Sequence, residues 1–193
     1  MKLAHWLISG FSAFAAAACA TDGGSGDVSD SGDPGPPAAV STIGPPRLTA
    51  DLRDAQGQVR ARATAETSGD SLRVRVEAVG MSPGSYGAHI HTVGRCDAPG
   101  FTTAGPHWNP TGQKHGKDNP AGMHKGDLPN LVVGTDGRGS FEYTIPNAGL
   151  SGMLPNRAID ADGAAVVIHE KADDFRTDPS GNSGARIACG VLG

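Results

Sequence analysis

Aromatic side chains are scarce in this sequence, in which phenylalanine, tryptophan and tyrosine together make up 5 % of 193 residues. The core must therefore be filled by small and branched apolar side chains. Basic residues are outnumbered by acidic ones, and the net charge is −4 at pH 7. This balance argues against nucleic acid as a partner, because domains that bind it carry an excess of positive charge.

The long apolar run at the N-terminus is shorter than the roughly 20 residues that a membrane-spanning helix needs. Residues 1–18 instead have the features of a signal peptide: Lys2 gives a positive start, and an apolar stretch leads into small residues. Cys19 follows Ala16-Ala17-Ala18, which resembles a bacterial lipoprotein cleavage box, although Ala16 stands where leucine is usual. Two outcomes stay open, membrane attachment through a lipidated Cys19 or plain cleavage and secretion. Both predict an exported protein of the periplasm or cell envelope.

Cysteine is also rare, and only Cys96 and Cys189 remain once Cys19 is set aside. A disulfide between them is favoured, because an exported domain meets an oxidising compartment. Two buried free thiols are the alternative.

Glycine and proline are abundant, with 29 and 14 residues. Residues 20–46 combine them with serine and with four aspartates and no basic residue, a composition that cannot bury enough apolar surface to fold. We interpret this segment as a disordered tether with a reach of roughly 28 Å. A tail without a spacing role is the alternative. The folded domain is expected at residues 47–193.

Apolar and polar residues alternate with a period of two through much of that domain, for example at 59–65, 72–78 and 141–145. No segment shows a helical stripe. The pattern predicts an all-β sandwich or flattened barrel of about eight short strands. Two long stretches without this rhythm, 95–127 and 170–185, are expected to be functional loops.

Six of the seven histidines have spacings that suggest two adjoining metal sites. His89 and His91 lie two residues apart, so on a strand both rings project from one face, and His169 is expected on the outer face of another strand. Three more histidines and a carboxylate lie on a loop, and such a set matches a four-coordinate zinc site: His107, His115, His124 and Asp127. Unrelated surface histidines would explain any one of these residues but not the whole set.

Five segments carry a specific resemblance to the copper/zinc superoxide dismutases: GAHIH (87–91), AGPHWNP (104–110), GDLPNL (126–131), VIHEKADD (167–174) and GARIACGV (184–191). The resemblance covers about residues 47–193. It implies an eight-stranded Greek-key flattened barrel, immunoglobulin-like, with two long functional loops. It also implies superoxide as the substrate, copper and zinc as cofactors, and a monomer or homodimer.

The resemblance implies a role for each matching residue. Copper would be bound by His89, His91, His107 and His169. Zinc would be bound by His107, His115, His124 and Asp127. Asp173 would link a histidine of each metal from outside, and Cys96 and Cys189 match the family disulfide.

The implied reaction converts superoxide to O₂ and H₂O₂ by cycling between Cu(II) and Cu(I). His107 would bridge the two metals and carry a proton, and Arg186 would attract the anion. Relative to cytosolic animal members, residues 97–101 lengthen one loop, which we expect to affect substrate access. A non-catalytic copper-binding or zinc-stabilised envelope β-domain is the alternative function.

Overall fold

The computed structural model describes residues 46–152, 154 and 156–193. The predicted signal peptide, Cys19 and all but the last residue of the predicted tether lie outside this range. The described residues form nine strands and one short 3-10 helix, Thr102–Ala104. The strands are β1 Arg47–Arg53, β2 Val59–Ser68, β3 Ser71–Ala78, β4 Gly84–Tyr86, β5 Ala88–His91, β6 Leu131–Val133, β7 Ser140–Pro146, β8 Ala165–His169 and β9 Arg186–Val191.

Seven strands form one curled antiparallel sheet in the order β5-β8-β9-β1-β2-β3-β7, and β4 pairs with β6 in a second, small sheet. The all-β fold class predicted from the sequence is therefore confirmed. In the part of the chain that the structure covers, no helix has the length and apolar character needed to cross a bilayer.

The strand count differs from the predicted eight because the chain changes sheet at Gly87. β4 pairs with β6, whereas β5 pairs with β8. Between them, Gly87 donates to the carbonyl of Lys171 at 2.7 Å and accepts from His169 at 2.8 Å. A side chain at this position would meet the Cβ of Ser183 at 2.9 Å, so glycine allows the close crossing.

The inward residues of the alternating segments are buried as predicted, among them Ala61, Ala63, Leu72, Val74 and Val76. Outward positions of the same strands are exposed or half-buried. The main core is almost wholly aliphatic, and Trp108, which is 5 % exposed, is its one buried aromatic side chain among the described residues. Each buried valine or leucine contributes about 1.5–3 kcal/mol to the free energy of folding. The core is therefore stabilised by many aliphatic side chains in place of a few large aromatic ones.

Both predicted loops, 95–127 and 170–185, are free of strands and lie over the β5–β8 edge of the large sheet. Isolated bridges join His91 to His107 and His89 to Asp127, which brings the first loop onto β5. A third long connection, at 147–164, was not predicted. Its buried Leu150 and Ala158 belong to the core.

Candidate metal centre

Three imidazoles project from the outer face of the β5–β8 edge. Ala88 and Ile90 point into the core, so His89 and His91 point the other way, as predicted from their spacing. His169 lies at the end of β8, the strand that pairs with β5. The two loops cover these rings, and all three residues are at most 3 % exposed.

His107 completes a group of four imidazoles from the loop side. One ring nitrogen from each residue lies within 4.8 Å of the other three. Four buried nitrogens have no hydrogen-bond partner among the described residues: His89 Nδ1, His91 Nε2, His107 Nε2 and His169 Nε2. A buried polar atom without a partner costs about 1–3 kcal/mol, so four together fit a cation that accepts all four lone pairs.

The second nitrogen of each strand-borne ring is fixed by a hydrogen bond. His91 Nδ1 donates to the carbonyl of Gly105 at 2.8 Å, and His169 Nδ1 donates to that of Gly184 at 3.1 Å. His89 Nε2 donates to Asp173 Oδ2 at 2.8 Å. Because these oxygens only accept, the proton is on the outer nitrogen and the lone pair faces the centre of the group.

Burial also keeps these rings neutral. It lowers the pKa of His89 to about 3, despite the opposing hydrogen bond with Asp173. It lowers the pKa of His169 to about 4, and those of His91 and His107 fall as well. A neutral imidazole is the form that binds a metal ion, so the set is ready to do so at neutral pH.

A second group surrounds Asp127 Oδ1. The Nδ1 atoms of His107, His115 and His124 lie 2.9, 3.0 and 3.1 Å from this oxygen, and those of His107 and His124 are 3.4 Å apart. In a tetrahedron with edges of about 3 Å the centre is about 2 Å from each corner, which is the length of a zinc–nitrogen or zinc–oxygen bond. These four residues therefore fit a zinc ion.

His115 shows the same fit in another way. Its Nδ1 lies 3.0 Å from Asp127 Oδ1 but makes no hydrogen bond with it. This arrangement is expected when the lone pairs of both atoms point to the same metal ion. Burial opposes charge on this ring, but the carboxylates of Asp127 and Asp173 on either side raise its pKa to about 9. Two carboxylates on either side of one ring give the site a negative environment that suits a divalent cation.

The two groups are not sharply separated. The set of ligand atoms that lie within 4.8 Å of one another on this side contains His89, His107, His115 and Asp127, with His89 in place of His124. The ring of His89 stacks on that of His107, with 3.9 Å between the centroids. His107 contributes one nitrogen to each group, Nε2 to the first and Nδ1 to the second.

Asp173 links the two groups from outside. Its Oδ2 accepts from His89, and its Oδ1 accepts from His115 at 2.9 Å. Asn130 holds the backbone of Asp173 through two hydrogen bonds, from Asn130 Nδ2 to the carbonyl at 2.9 Å and from the Asp173 amide to Asn130 Oδ1 at 2.8 Å. Sequence reasoning missed this role, although Asn130 lies within the GDLPNL segment.

A cleft of about 1020 Å³ opens onto the first group and is lined by His107, His169 and Arg186, among others. The Arg186 guanidinium donates from Nη1 to the carbonyl of Phe101 at 2.7 Å and from Nη2 to that of Gly105 at 2.8 Å. Lys114 at the rim is paired with Asp178 at 3.1 Å. Within the described residues no carboxylate pairs with Arg186, so it keeps its positive charge facing the cleft.

A family model described as copper/zinc superoxide dismutase (SODC) matches residues 55–192. The chain belongs to the copper/zinc superoxide dismutase family. Copper and zinc are accordingly its cofactors, in agreement with two overlapping sets of buried possible metal ligands that share His89 and His107. The predicted family and metals are both confirmed.

Relatives of two kinds resemble the chain. The superoxide dismutase-like protein YojM of Bacillus subtilis (strain 168) is 45 % identical over 128 residues, which cover 66 % of this chain and 65 % of that relative. Superoxide dismutase [Cu-Zn] 2 of Aquifex aeolicus (strain VF5) is 38 % identical over 144 residues, 74 % of this chain and 84 % of the relative. The crystal structure of a SOD-like protein from Bacillus subtilis superposes with a TM-score of 0.70 at 40 % identity, covering 75 % of this chain and 97 % of that one.

The predicted disulfide joins Cys96 to Cys189 and ties the ligand loop to β9. It closes a loop with a sequence separation of 93 residues.

Replacing both cysteines with serine should lower the free energy of unfolding by about 4–5 kcal/mol. Without the bond the unfolded chain is no longer closed into a loop of about 100 residues, and it gains that much conformational entropy. Urea unfolding with and without a reductant measures the loss. A wild-type protein with equal stability in both conditions would show that the bond contributes nothing.

Proposed function

We propose that the protein is a superoxide dismutase that converts two superoxide ions and two protons into O₂ and H₂O₂. Copper would be bound by His89, His91, His107 and His169, and zinc by His107, His115, His124 and Asp127. The observation that carries this proposal is the position of His107, which has one nitrogen in each group. A protein that only stored copper would not need that arrangement.

Copper, when bound, supplies the one-electron change that superoxide needs in both directions. His107 can hold a proton on Nε2, which faces the first group, while Nδ1 stays next to Asp127 and the second group. It can therefore deliver that proton at the place where a reduced oxygen species needs one. Asp127 Oδ1, 2.9 Å from His107 Nδ1, fixes the orientation of the ring from the zinc side.

Arg186 would attract and orient the anion. Its guanidinium is held at the wall of the cleft that leads to His107 and His169. A planar cation with three N–H donors left free by these two bonds suits a small diatomic anion. Three lysines of the two loops contribute less, because Lys114, Lys117 and Lys171 each have a carboxylate nearby.

We further propose export to the bacterial cell envelope, with lipidation of Cys19 as the anchor. The disulfide supports an oxidising compartment, because such bonds rarely persist in a reducing cytosol. Cys19→Ala should then release the protein from the membrane fraction. An unchanged membrane share would reject the anchor.

The proposed activity is tested by reconstituting the full-length mature protein with copper and zinc and measuring inhibition of superoxide-driven dye reduction. Protein loaded with zinc alone is the control, and it should not inhibit. If protein with one copper and one zinc per chain also fails to inhibit, the non-catalytic copper-binding or zinc-stabilised envelope domain is the correct function.

Arg186→Ala should leave both metals bound and lower kcat/KM several-fold, with a weaker dependence on ionic strength, because the cation at the cleft is lost. Arg138→Ala is the matched control, since Arg138 is an exposed arginine on the β6–β7 turn. Pulse radiolysis at several salt concentrations measures both variants. Equal values for Arg186→Ala and wild type would remove Arg186 from the mechanism.

A further inference from the structure

Residue Phe101 ends the segment 97–101 that lengthens the first loop, and it touches Arg186 through its carbonyl oxygen. That oxygen accepts from Arg186 Nη1 at 2.7 Å and also from the Ala104 amide at 3.2 Å. One of the two bonds that hold the guanidinium therefore depends on where the backbone of Phe101 points.

The backbone of Phe101 has a left-handed conformation with φ 52°, which is rare for a bulky residue and must be imposed by its surroundings. Its side chain supplies that constraint. Phe101 is 3 % exposed and belongs to a small second cluster with Ala104, Ala165, Val167 and Cys189. Its amide donates to the carbonyl of Asp97 at 3.0 Å, which closes the segment on itself.

The second bond of the guanidinium connects it to a candidate copper ligand. The carbonyl oxygen of Gly105 accepts from Arg186 Nη2 and from His91 Nδ1, both at 2.8 Å. Arg186 and His91 thus share one oxygen. A shift of the loop between Phe101 and Gly105 would change the position of the cation relative to the first group.

We infer that Phe101 is a positioning residue: its buried ring fixes the direction of its carbonyl, and that carbonyl holds Arg186 in place to receive a small anion. This inference deepens the proposed function and rests on it. The segment 97–101 then serves to anchor the anion-binding cation.

Binding of azide to the Cu(II) form of the copper- and zinc-loaded protein tests this inference without turnover. We expect Phe101→Ala to raise the Kd for azide by about tenfold, the order expected when one hydrogen bond to a charged group is lost. Phe101→Leu, which keeps most of the apolar volume, should remain near wild type. Val74→Ala, a buried core variant on β3, is the control for loss of stability alone.

The double variant separates positioning from a structural role. If Phe101 acts through Arg186, Phe101→Ala adds no further loss of azide affinity in an Arg186→Ala background. The inference would be overturned if the two substitutions multiplied their effects on the azide Kd in the double variant. It would also be overturned if a folded Phe101→Ala protein had wild-type azide affinity. Should Phe101→Ala fail to fold, Phe101→Gly decides, since glycine adopts the left-handed conformation without strain but lacks the ring, and wild-type azide affinity in that variant would also overturn the inference. A wild type that binds azide at copper yet does not dismutate superoxide would reject the proposed function alone.

Discussion

Replacing Asp127 with alanine should weaken zinc binding by at least about 100-fold, since even residues outside the ligand set change metal affinity by 10–100-fold. Asp127 Oδ1 is the shared neighbour of three imidazole nitrogens. Its Oδ2 accepts from the amides of Gly116 at 2.8 Å and His124 at 3.0 Å, so the loop also loses its organising acceptor. The protein should lose stability together with zinc, because metal binding is coupled to folding.

Metal content by mass spectrometry after dialysis against a weak chelator measures the change. Asp118→Ala is the matched control, because Asp118 is an exposed carboxylate on the same loop that pairs only with Lys117 in the described structure. If Asp127→Ala retains one zinc per chain, zinc is bound elsewhere.

Gly181→Ala should disrupt both groups at once, although no metal ligand is changed. A side chain at this position would collide with the Asp173 carboxylate and would lie 2.7 Å from His115 Nε2. Asp173 would have to move, which frees His89 and His115 together. We expect lower affinity for both metals and a loss of activity approaching that of a ligand variant.

The control for backbone strain is Gly69→Ala. Gly69 has φ +61°, close to the +65° of Gly181, but a side chain there would meet nothing within 4 Å. In both variants an alanine must adopt the left-handed conformation, which costs about 1–2 kcal/mol. Only in Gly181→Ala does the new side chain also collide with the Asp173 carboxylate. Copper and zinc titrations of the two variants should differ strongly. Equal affinities would mean that Asp173 does not organise the site.

The sequence predicted those parts of the structure that depend on local periodicity. Alternation along β2 and β3 identified the buried alanines, leucine and valines, since side-chain direction on a strand follows position alone. The same rule placed His89 and His91 on the outer face. The ligand loop was identified because histidine is rare and its spacing is distinctive.

Features that depend on distant contacts were not predicted. Nothing near Gly87 shows that the chain changes sheets there, because the reason lies in Ser183 and Lys171. Asn130 and Phe101 look like ordinary loop residues until the fold brings Asp173 and Arg186 against them. These contacts join residues 43 and 85 positions apart, beyond the reach of any local pattern.

The central claim is that one imidazole lies between two metal ions, and anomalous X-ray scattering at the copper and zinc edges of the loaded protein tests it most directly. We predict one copper and one zinc per chain about 6 Å apart, the width of an imidazole plus two bonds of about 2 Å, with His107 Nε2 toward copper and Nδ1 toward zinc. Ions separated by much more than this, or a His107 ring in contact with only one of them, would contradict the account.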